Sequence, residues 1–413
     1  MQVVVLGDVG VVDGMMHIGD EAMTEALLDE LAARGRSAAT VLSAAPTDTA
    51  ERYGVAAIPR LGFPGDRAAG RERYERVLAC VAGARALPTD DPIWAVMDAV
   101  AASDGVVIAG GGNLASTWPS HVFERAALGA IAAAQDRALV VSGQTLGPHL
   151  VADDRDLVRG LLAGARRIGL REASSVRLAT ELGVPGTATL DDASFLGFDD
   201  PAPAVDPFLL VSLSTHLGGR PRDAVVTGLA AALDALHAET GLPIRFHAHF
   251  GSLEPGVVRG DAGLHDEVRA ALRSDSDVVP TGDSRAAARL ARSAGMLVTG
   301  RYHPAVFAAP AGVPIAALVV DAYTDVKLRG VLDHWGQSGL VDLDTVARGG
   351  AAPTLLRIAA GHRETRDRAA ARIAAHREQS REWWDRVAAD LAPTVPRDGG
   401  AVHPLDDHAL GIC

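Results

Sequence analysis

The stretch that decides the fold reads Met296-Leu297-Val298-Thr299-Gly300-Arg301-Tyr302-His303-Pro304-Ala305-Val306-Phe307-Ala308. Its apolar start predicts a buried strand over residues 296–299, and residues 305–309 predict a short helix. Gly312-Val313-Pro314 then opens a second apolar run over residues 315–320. A strand, a helix and another strand in this order predict a βαβ unit of a parallel sheet.

The same alternation runs through the rest of the chain. Apolar runs predict strands at residues 3–6, 106–108, 139–141, 167–170, 187–190, 208–213 and 244–248. Helical patterns separate them, among them residues 21–33, 123–134, 172–182, 222–239 and 285–292. The series is interrupted at residues 199–207, which contain three prolines. Proline fixes φ and removes a backbone donor, so we interpret this segment as a linker.

We therefore predict an α/β protein of two domains, as a chain of 413 residues suggests. The first domain covers residues 1–199 and the second residues 208–345. Residues 346–413 are predicted to form a long C-terminal helix, which would pack back on the first domain, and a tail. Open α/β sheets bind ligands at the carboxyl ends of their strands, so residues that follow strands are the candidates for a site in the cleft between the domains.

Charge and composition exclude several classes of protein. The formal net charge is −13 and no dense run of basic residues occurs, which argues against nucleic-acid binding. Two cysteines, Cys80 and Cys413, give no disulfide framework within the chain and no metal-binding spacing. We find no basic leader segment and no apolar run of about 18 residues. We therefore expect a cytoplasmic protein and leave peripheral contact with a membrane open.

Four cationic side chains stand near the ends of predicted elements. Arg171 closes a strand, where its donor fork suits a carboxylate or a phosphate; the alternative is a surface arginine paired with Glu172 or Asp192. Arg301 and His303 flank the start of a helix, which is a common anion site. Lys327 follows one strand later. Together these residues suit a small trianionic substrate, although His303 alone could be a structural histidine.

Two carboxylates follow the first strand in the segment His17-Ile18-Gly19-Asp20-Glu21-Ala22. Carboxylates in a first helical turn favour the helix dipole, which is one explanation for them. The other is that Asp20 or Glu21 faces the cleft and binds sugar hydroxyls or moves a proton. The loop lacks a GxGxxG pattern, so a dinucleotide site is not expected.

Further polar candidates follow other strands of the first domain. The loop Gly110-Gly111-Gly112-Asn113 allows close backbone approach, so Gly111, Gly112 and Asn113 are candidate substrate contacts. Gln144 could bind a sugar or cap its own turn. In Asp191-Asp192, which follows another predicted strand, one carboxylate is expected to line the cleft, and Asp192 is the candidate substrate contact.

One histidine pair has the spacing of metal ligands. His247 and His249 point to the same side of a predicted strand. Because no third ligand is evident, we predict a role without metal for both.

Taken together, these segments resemble the polysaccharide pyruvyl transferase family. The resemblance rests on Ile18-Gly19-Asp20-Glu21-Ala22, Gly110-Gly111-Gly112, Ser142-Gly143-Gln144 with Gly147-Pro148, Leu170-Arg171-Glu172 with Ser175, Asp192-Ala193, and Arg301-Tyr302-His303 through Gly312-Val313-Pro314. It implies a GT-B-like arrangement of two Rossmann-like domains about a cleft. It also implies ketal formation on sugars of cell-surface polysaccharides with phosphoenolpyruvate as donor.

By the same resemblance, Arg171, Arg301, His303 and Lys327 match the residues that contact phosphoenolpyruvate. The loop before Asp20 is longer than the family's usual G-x-x-N-x-G-D, and His17 stands near the common asparagine. The acceptor, a saccharide or a glycan-lipid, is therefore the least determined part.

These observations give a mechanistic hypothesis. Arg171 would clamp the donor, His303 would donate a proton or bind the phosphate, and Asp20 or Glu21 would deprotonate the acceptor hydroxyl. No metal or organic cofactor is implied. One alternative is a GT-B nucleotide-sugar glycosyltransferase, against which residues 301–320 contain no Asp or Glu. The other is a non-catalytic sugar-binding relative.

Overall fold

Short apolar runs form the central strands of two parallel sheets in the computed structural model, which describes residues 2–201 and 205–392. The first domain contains β1 (Gln2–Leu6), β2 (Met15–His17), α1 (Ile18–Ala33), β3 (Ala38–Ser43), α2 (Pro46–Tyr53), β4 (Ala56–Pro59), α3 (Arg67–Val81), α4 (Ile93–Ala101), β5 (Gly105–Ile108), β6 (Gly111–Leu114), α5 (Pro119–Ala134), β7 (Ala138–Leu146), α6 (Ala152–Ala163), β8 (Arg167–Leu170), α7 (Ala173–Glu181) and β9 (Thr187–Ala188). Its sheet has the order β4-β3-β1-β5-β7-β8-β9, with β6 paired to β7.

The second domain repeats this design. It contains β10 (Leu209–Ser212), α8 (Arg222–Thr240), β11 (Ile244–His247), β12 (Phe250–Ser252), α9 (Asp261–Ala271), β13 (Ser276–Val279), α10 (Ser284–Arg292), β14 (Met296–Thr299), α11 (Tyr302–Ala308), β15 (Ile315–Val319), α12 (Ala322–Trp335), β16 (Leu340–Asp342), α13 (Leu343–Ala347) and α14 (Ala352–Ala360). The strand order is β13-β11-β10-β14-β15-β16, all parallel. Counted in chain order this is 3-2-1-4-5-6, the doubly wound order of Rossmann domains, and the predicted fold class is confirmed.

The C-terminal part is two helices rather than one. The pattern predicts a continuous helix over residues 353–391, but α14 ends at Ala360 and α15 (His362–Asp390) begins after Gly361, which caps both helices. α14 packs on α8 of the second domain. α15 crosses to the first domain, where Trp383, Trp384 and Val387 pack against the central strands β1, β5 and β7. The helix therefore covers a face of the first sheet.

The two domains are joined by a short ladder and a shared core. β2 of the first domain pairs antiparallel with β12 of the second, and the rings of His17 and Phe250 stack with centroids 3.9 Å apart. Residues of α1 and of α10 to α12 form one apolar cluster across the boundary. The segment that leads into Asp20 is therefore held by the opposite domain.

Two further features bear on the sequence predictions. Within the described ranges no helix combines the length and apolar character needed to cross a membrane. Cys80 is buried and not in a disulfide. Cys413 and the rest of the predicted tail from residue 393 lie outside the described residues.

Candidate active site

The carboxyl ends of both sheets face one cleft. Asp8 follows β1, Gly110 to Gly112 follow β5, and Arg171 follows β8 in the first domain. Across the cleft, α11 brings Tyr302 and His303, and α12 brings Lys327. The site thus lies where doubly wound sheets bind ligands.

Arg171 is buried at the base of the cleft, with 2% of its side chain exposed. Its Nη1 lies 2.5 Å from Asp191 Oδ2, and its Nε lies 3.1 Å from Glu172 Oε1. The guanidinium lies over the ring of Tyr302, 4.4 Å from its centroid. The predicted pairing with Glu172 is present, whereas the second partner is Asp191 rather than Asp192.

This pairing changes the charge expected at the site. The guanidinium of Arg171 is paired with two buried carboxylates, Glu172 and Asp191, so Arg171 adds no net positive charge to the cleft. Burial raises the pKa of Glu172, and the neighbouring Arg171 opposes that shift. No hydrogen bond from Arg171 Nη2 is found within the described residues, and this nitrogen would lie 3.3 Å from a Cβ at Gly112. Arg171 therefore offers directed hydrogen bonding rather than net charge.

His303 faces Arg171 across Asp191. Its Nε2 lies 3.9 Å from Asp191 Oδ2, and no hydrogen-bond partner for this buried nitrogen is found in the described part of the chain. Burial lowers the pKa of His303 to about 4. Asp191 opposes this shift, whereas Arg171 and Lys327 add to it. The imidazole is therefore neutral at pH 7.

Lys327 is the only lysine of the chain and lies in the cleft. Its Nζ is 3.9 Å from the ring centroid of Tyr323 and 5.9 Å from that of Tyr302. Within residues 2–201 and 205–392 no carboxylate forms an ion pair with it. Tyr323 Oη donates to the carbonyl of Gly112 over 2.7 Å, which ties α12 to the glycine loop. Lys327 thus brings unpaired positive charge to the site.

Among the described residues Arg301, unlike Lys327, is paired with a carboxylate. Its Nε and Nη2 both donate to Asp261, at 2.8 and 2.5 Å, and Asp261 is fully buried. Asp261 Oδ2 also accepts from the backbone N–H of Phe250 over 2.9 Å. The charge of Arg301 is therefore compensated, and sequence analysis missed Asp261 because it lies 40 residues away on α9.

The two carboxylates at the start of α1 have different surroundings. Glu21 accepts from the backbone N–H of Gly10 over 2.9 Å and from Tyr53 Oη, so it fixes the first loop and does not face the cleft. Asp20 keeps 29% of its side chain exposed. Burial, together with the charges of Asp8 and Glu21, raises the pKa of Asp20 to about 7. Of the two predicted bases, only Asp20 has the surroundings for that role.

Three other predicted contacts support the loop rather than opening to a ligand. Asp192 accepts from Ser142 Oγ over 2.7 Å and from the N–H of Gly110 over 2.9 Å. Burial raises the pKa of Asp192 to about 7, with Asp191 adding to it. Gln144 is fully buried and donates to the carbonyl of Ala109, and Gly111 packs against its side chain. These residues set the path of the glycine loop.

A polar cluster lies beside the cleft around Asp8, which sequence analysis did not identify. Arg125 Nη2, Arg60 Nη2 and His121 Nδ1 lie 2.6, 3.0 and 3.1 Å from its carboxylate, and Asn113 also donates to it. Burial opposes ionisation, but Arg125 and His121 hold the pKa of Asp8 well below its usual range. Asp8, His121 and Glu124 could together ligate a metal ion. Because arginines already bond both carboxylates, we assign no metal here.

His247 and His249 lie behind α11 and are both buried. Their ring centroids are 5.1 Å apart, and His249 packs on Phe307 at 5.9 Å. Burial lowers the pKa of each, to about 4 for His247. Both are therefore neutral in this packing.

Comparison with solved structures identifies the fold. The chain is similar to a proposed UDP-N-acetylglucosamine 2-epimerase from Listeria monocytogenes, with a TM-score of 0.59 at 14% identity over 94% of this chain and 95% of that one. It is also similar to UDP-GlcNAc 2-epimerase from Neisseria meningitidis bound to UDP-GlcNAc, with a TM-score of 0.56 at 10% identity over 89% of this chain and 94% of that one. For the glycotransferase of kitacinnamycin the TM-score is 0.50 at 14% identity, over 95% of this chain and 99% of that one. At these identities the likeness shows the fold, and that fold is GT-B.

The family follows from the sequence. A family model described as polysaccharide pyruvyl transferase matches residues 17–321, so the chain belongs to that family and the predicted resemblance is confirmed. No curated protein matches the chain in sequence.

Proposed function

We propose that the protein transfers the pyruvyl group of phosphoenolpyruvate onto two hydroxyls of a saccharide and releases phosphate. The observation that carries the proposal is the meeting of Arg171, His303 and Lys327 around the ring of Tyr302. Arg171 and Lys327 both lie over the ring of Tyr302, and both approach Gly112. Arg171 and His303 are joined through Asp191. A carboxylate and a phosphate on one small molecule match such a set of donors.

Charge assigns different tasks to these residues. Lys327 supplies the positive charge that draws in the trianion and stabilises the phosphate as it leaves. Arg171 Nη2 supplies a directed hydrogen bond. His303 is neutral in the free protein, and a bound phosphate would favour its protonated form because it offsets the surrounding cations. Its proton would then be available to the substrate.

The reaction needs two proton transfers. C3 of phosphoenolpyruvate gains a proton and becomes a methyl group, while positive charge develops at C2. The first hydroxyl oxygen adds to C2, the C2–O bond to phosphate breaks, and the second hydroxyl adds to close the ketal. The acceptor loses two protons, and in the net balance one is retained on C3 and the other on phosphate. Asp20, with a pKa of about 7, is our candidate for accepting the proton of the attacking hydroxyl.

The single lysine permits a direct test. Reductive methylation with ¹³C-formaldehyde labels Lys327 and the terminal amine, so Lys327 gives one NMR signal of its own. Phosphoenolpyruvate should shift that signal in a saturable way, and isothermal titration of the unmodified protein should show saturable binding as well. Inorganic phosphate and pyruvate, added separately, should each bind more weakly.

Matched variants on α12 supply the control. Lys327→Gln should weaken phosphoenolpyruvate binding by about 10- to 100-fold, since a charge-assisted hydrogen bond contributes on the order of 1.5–3 kcal/mol. Arg329→Gln, an exposed change on the same helix whose partner is Asp325, should bind as the wild type does. Equal binding by both variants would contradict the proposal.

The same titration separates the glycosyltransferase alternative. The fold neighbours include proteins bound to or named for UDP-sugars, so UDP and a panel of UDP-sugars belong in the experiment. Binding of a UDP-sugar with no response to phosphoenolpyruvate would move the protein to that class.

A further inference from the structure

Trp118 is an exposed tryptophan at the edge of the cleft. Three of the five tryptophans, Trp335, Trp383 and Trp384, are buried, whereas 41% of Trp118 is exposed. Because an indole combines an apolar face with a polar N–H, an exposed one beside a polar site suits an amphipathic ligand.

The main chain that carries this ring is held in place by hydrogen bonds. Trp118 is the N-cap residue of α5, its N–H donates to Ala115 O over 2.9 Å, and its carbonyl accepts from His121 and Val122. Pro119 follows at the first helical position. The ring is therefore presented from a rigid helix end, and little side-chain entropy is lost when it binds a flat partner.

Both domains contribute to its surroundings. The ring centroid of Trp118 is 6.5 Å from that of Tyr323 on α12 and 6.4 Å from that of His121 on α5. Lys327 Nζ lies over the ring of Tyr323, and His121 Nδ1 lies 3.1 Å from the Asp8 carboxylate. The charge of Asp8 in turn acts on Asp20. The aromatic surface is thus linked through Tyr323 to Lys327 and through His121 to Asp8.

We infer that Trp118, together with Tyr323 and His121, forms a platform on which the acceptor saccharide stacks. A pyranose ring has an apolar C–H face that packs on indole and polar hydroxyls at its rim. A sugar on Trp118 would direct those hydroxyls toward the Asp8 cluster and Asp20. The inference rests on the proposed function, since it assigns the acceptor side of the same site.

The test uses methyl glycosides of common hexoses and N-acetylhexosamines as probes. Saturation-transfer-difference NMR should show binding of at least one of them to the wild type in the presence of phosphoenolpyruvate, with strongest transfer to protons on one ring face. Trp118→Ala should weaken that binding about tenfold or more, as truncation of a stacking surface does. Trp118→Phe should retain most of it, and Trp94→Phe, a change on the distant helix α4, should bind normally.

The outcomes separate the two proposals. Phosphoenolpyruvate should still shift the Lys327 signal in Trp118→Ala, which also shows that this variant is folded. Equal glycoside binding by Trp118→Ala and wild type, or no binding of any probe to the wild type, would overturn the platform while leaving the donor assignment in place. Glycoside binding that depends on Trp118, without any response to phosphoenolpyruvate, would refute phosphoenolpyruvate as the donor substrate but support a saccharide site at Trp118.

Discussion

Replacing Arg171 by alanine should unfold the protein more easily as well as disturb the site. The change leaves Asp191 and Glu172 without their cation, and their side chains are only 2% and 1% exposed. Removing one partner of a buried ion pair costs about 3–5 kcal/mol, because the remaining charge stays in a medium of low polarity. The stacking on Tyr302 at 4.4 Å is lost as well.

This cost is large against the whole stability of a domain. Native domains are stable by about 5–15 kcal/mol, so Arg171→Ala removes roughly a fifth or more of that. For a domain of this size, 1 kcal/mol corresponds to about 2–4 °C in melting temperature, which predicts a fall of about 10 °C. Burial already raises the pKa of Glu172, so this carboxyl should take up a proton in the variant as the pH falls. The penalty should therefore be smaller at pH 5 than at pH 8.

Thermal and urea unfolding across that pH range measure the effect. Arg377→Ala is the matched control, because Arg377 pairs with Asp199 at 2.5 Å while 41% and 74% of the two side chains are exposed. An exposed pair contributes less than about 1 kcal/mol. The double variant Arg171→Met with Asp191→Asn should recover part of the loss. A penalty for Arg171→Ala below about 1 kcal/mol at every pH would refute the reasoning.

The result also decides how binding data are interpreted. If Arg171→Ala rearranges the base of the cleft, its loss of phosphoenolpyruvate binding does not identify Arg171 as a ligand contact. Lys327 is the better probe, because no ion pair to it is found in residues 2–201 and 205–392 and its removal strands no buried charge.

Three further predictions address other parts of the site. In a phosphate-release assay the turnover rate should rise as the pH increases through about 7, where Asp20 loses its proton. Asp20→Asn should lower the rate by about 10²–10⁴-fold and remove that rise. An Asp20→Asn variant with the pH profile of the wild type would exclude Asp20 as the base. Gly112→Ala places a Cβ 2.9 Å from Tyr323 Oη and should weaken phosphoenolpyruvate binding about tenfold by titration, whereas unchanged affinity would mean that the loop can move aside. Phe250→Ala removes the stack on His17 and should speed hydrogen exchange across residues 15–17 about tenfold; equal exchange would show that the ladder holds by itself.

The sequence predicted the strands that carry the fold because these are continuous apolar runs. β1, β5, β10 and β14 are fully or almost fully buried, and each was expected within about a residue. β3 was missed, since Ala38–Ser43 mixes small and hydroxyl side chains with few large apolar ones. β13 was missed because it is an exposed edge strand of sequence Ser-Asp-Val-Val. Partners in the sheet, not periodicity, define both.

The cationic residues were predicted, but not their state of charge. Strand ends and helix starts pointed to Arg171, Arg301 and His303 from local patterns. Asp191 and Asp261, which neutralise the two arginines, lie 20 and 40 residues from them along the chain. A local pattern carries no information on such pairing, so the net charge of the cleft could only come from the structure.

The site also draws on the chain beyond the region that defines the family. The family match ends at residue 321, yet Tyr323 and Lys327 follow it. Farther on, Trp383 of α15 donates to Ser142 Oγ over 3.1 Å, and Ser142 donates to Asp192, which holds the N–H of Gly110. α15 thereby holds the glycine loop at Gly110, through Ser142 and Asp192, and α12 holds it at Gly112 through Tyr323. Because the loop is held on both sides, we expect loss of either hydrogen bond, that of Tyr323 Oη or that of Trp383 Nε1, to weaken phosphoenolpyruvate binding although neither bond is made to the substrate.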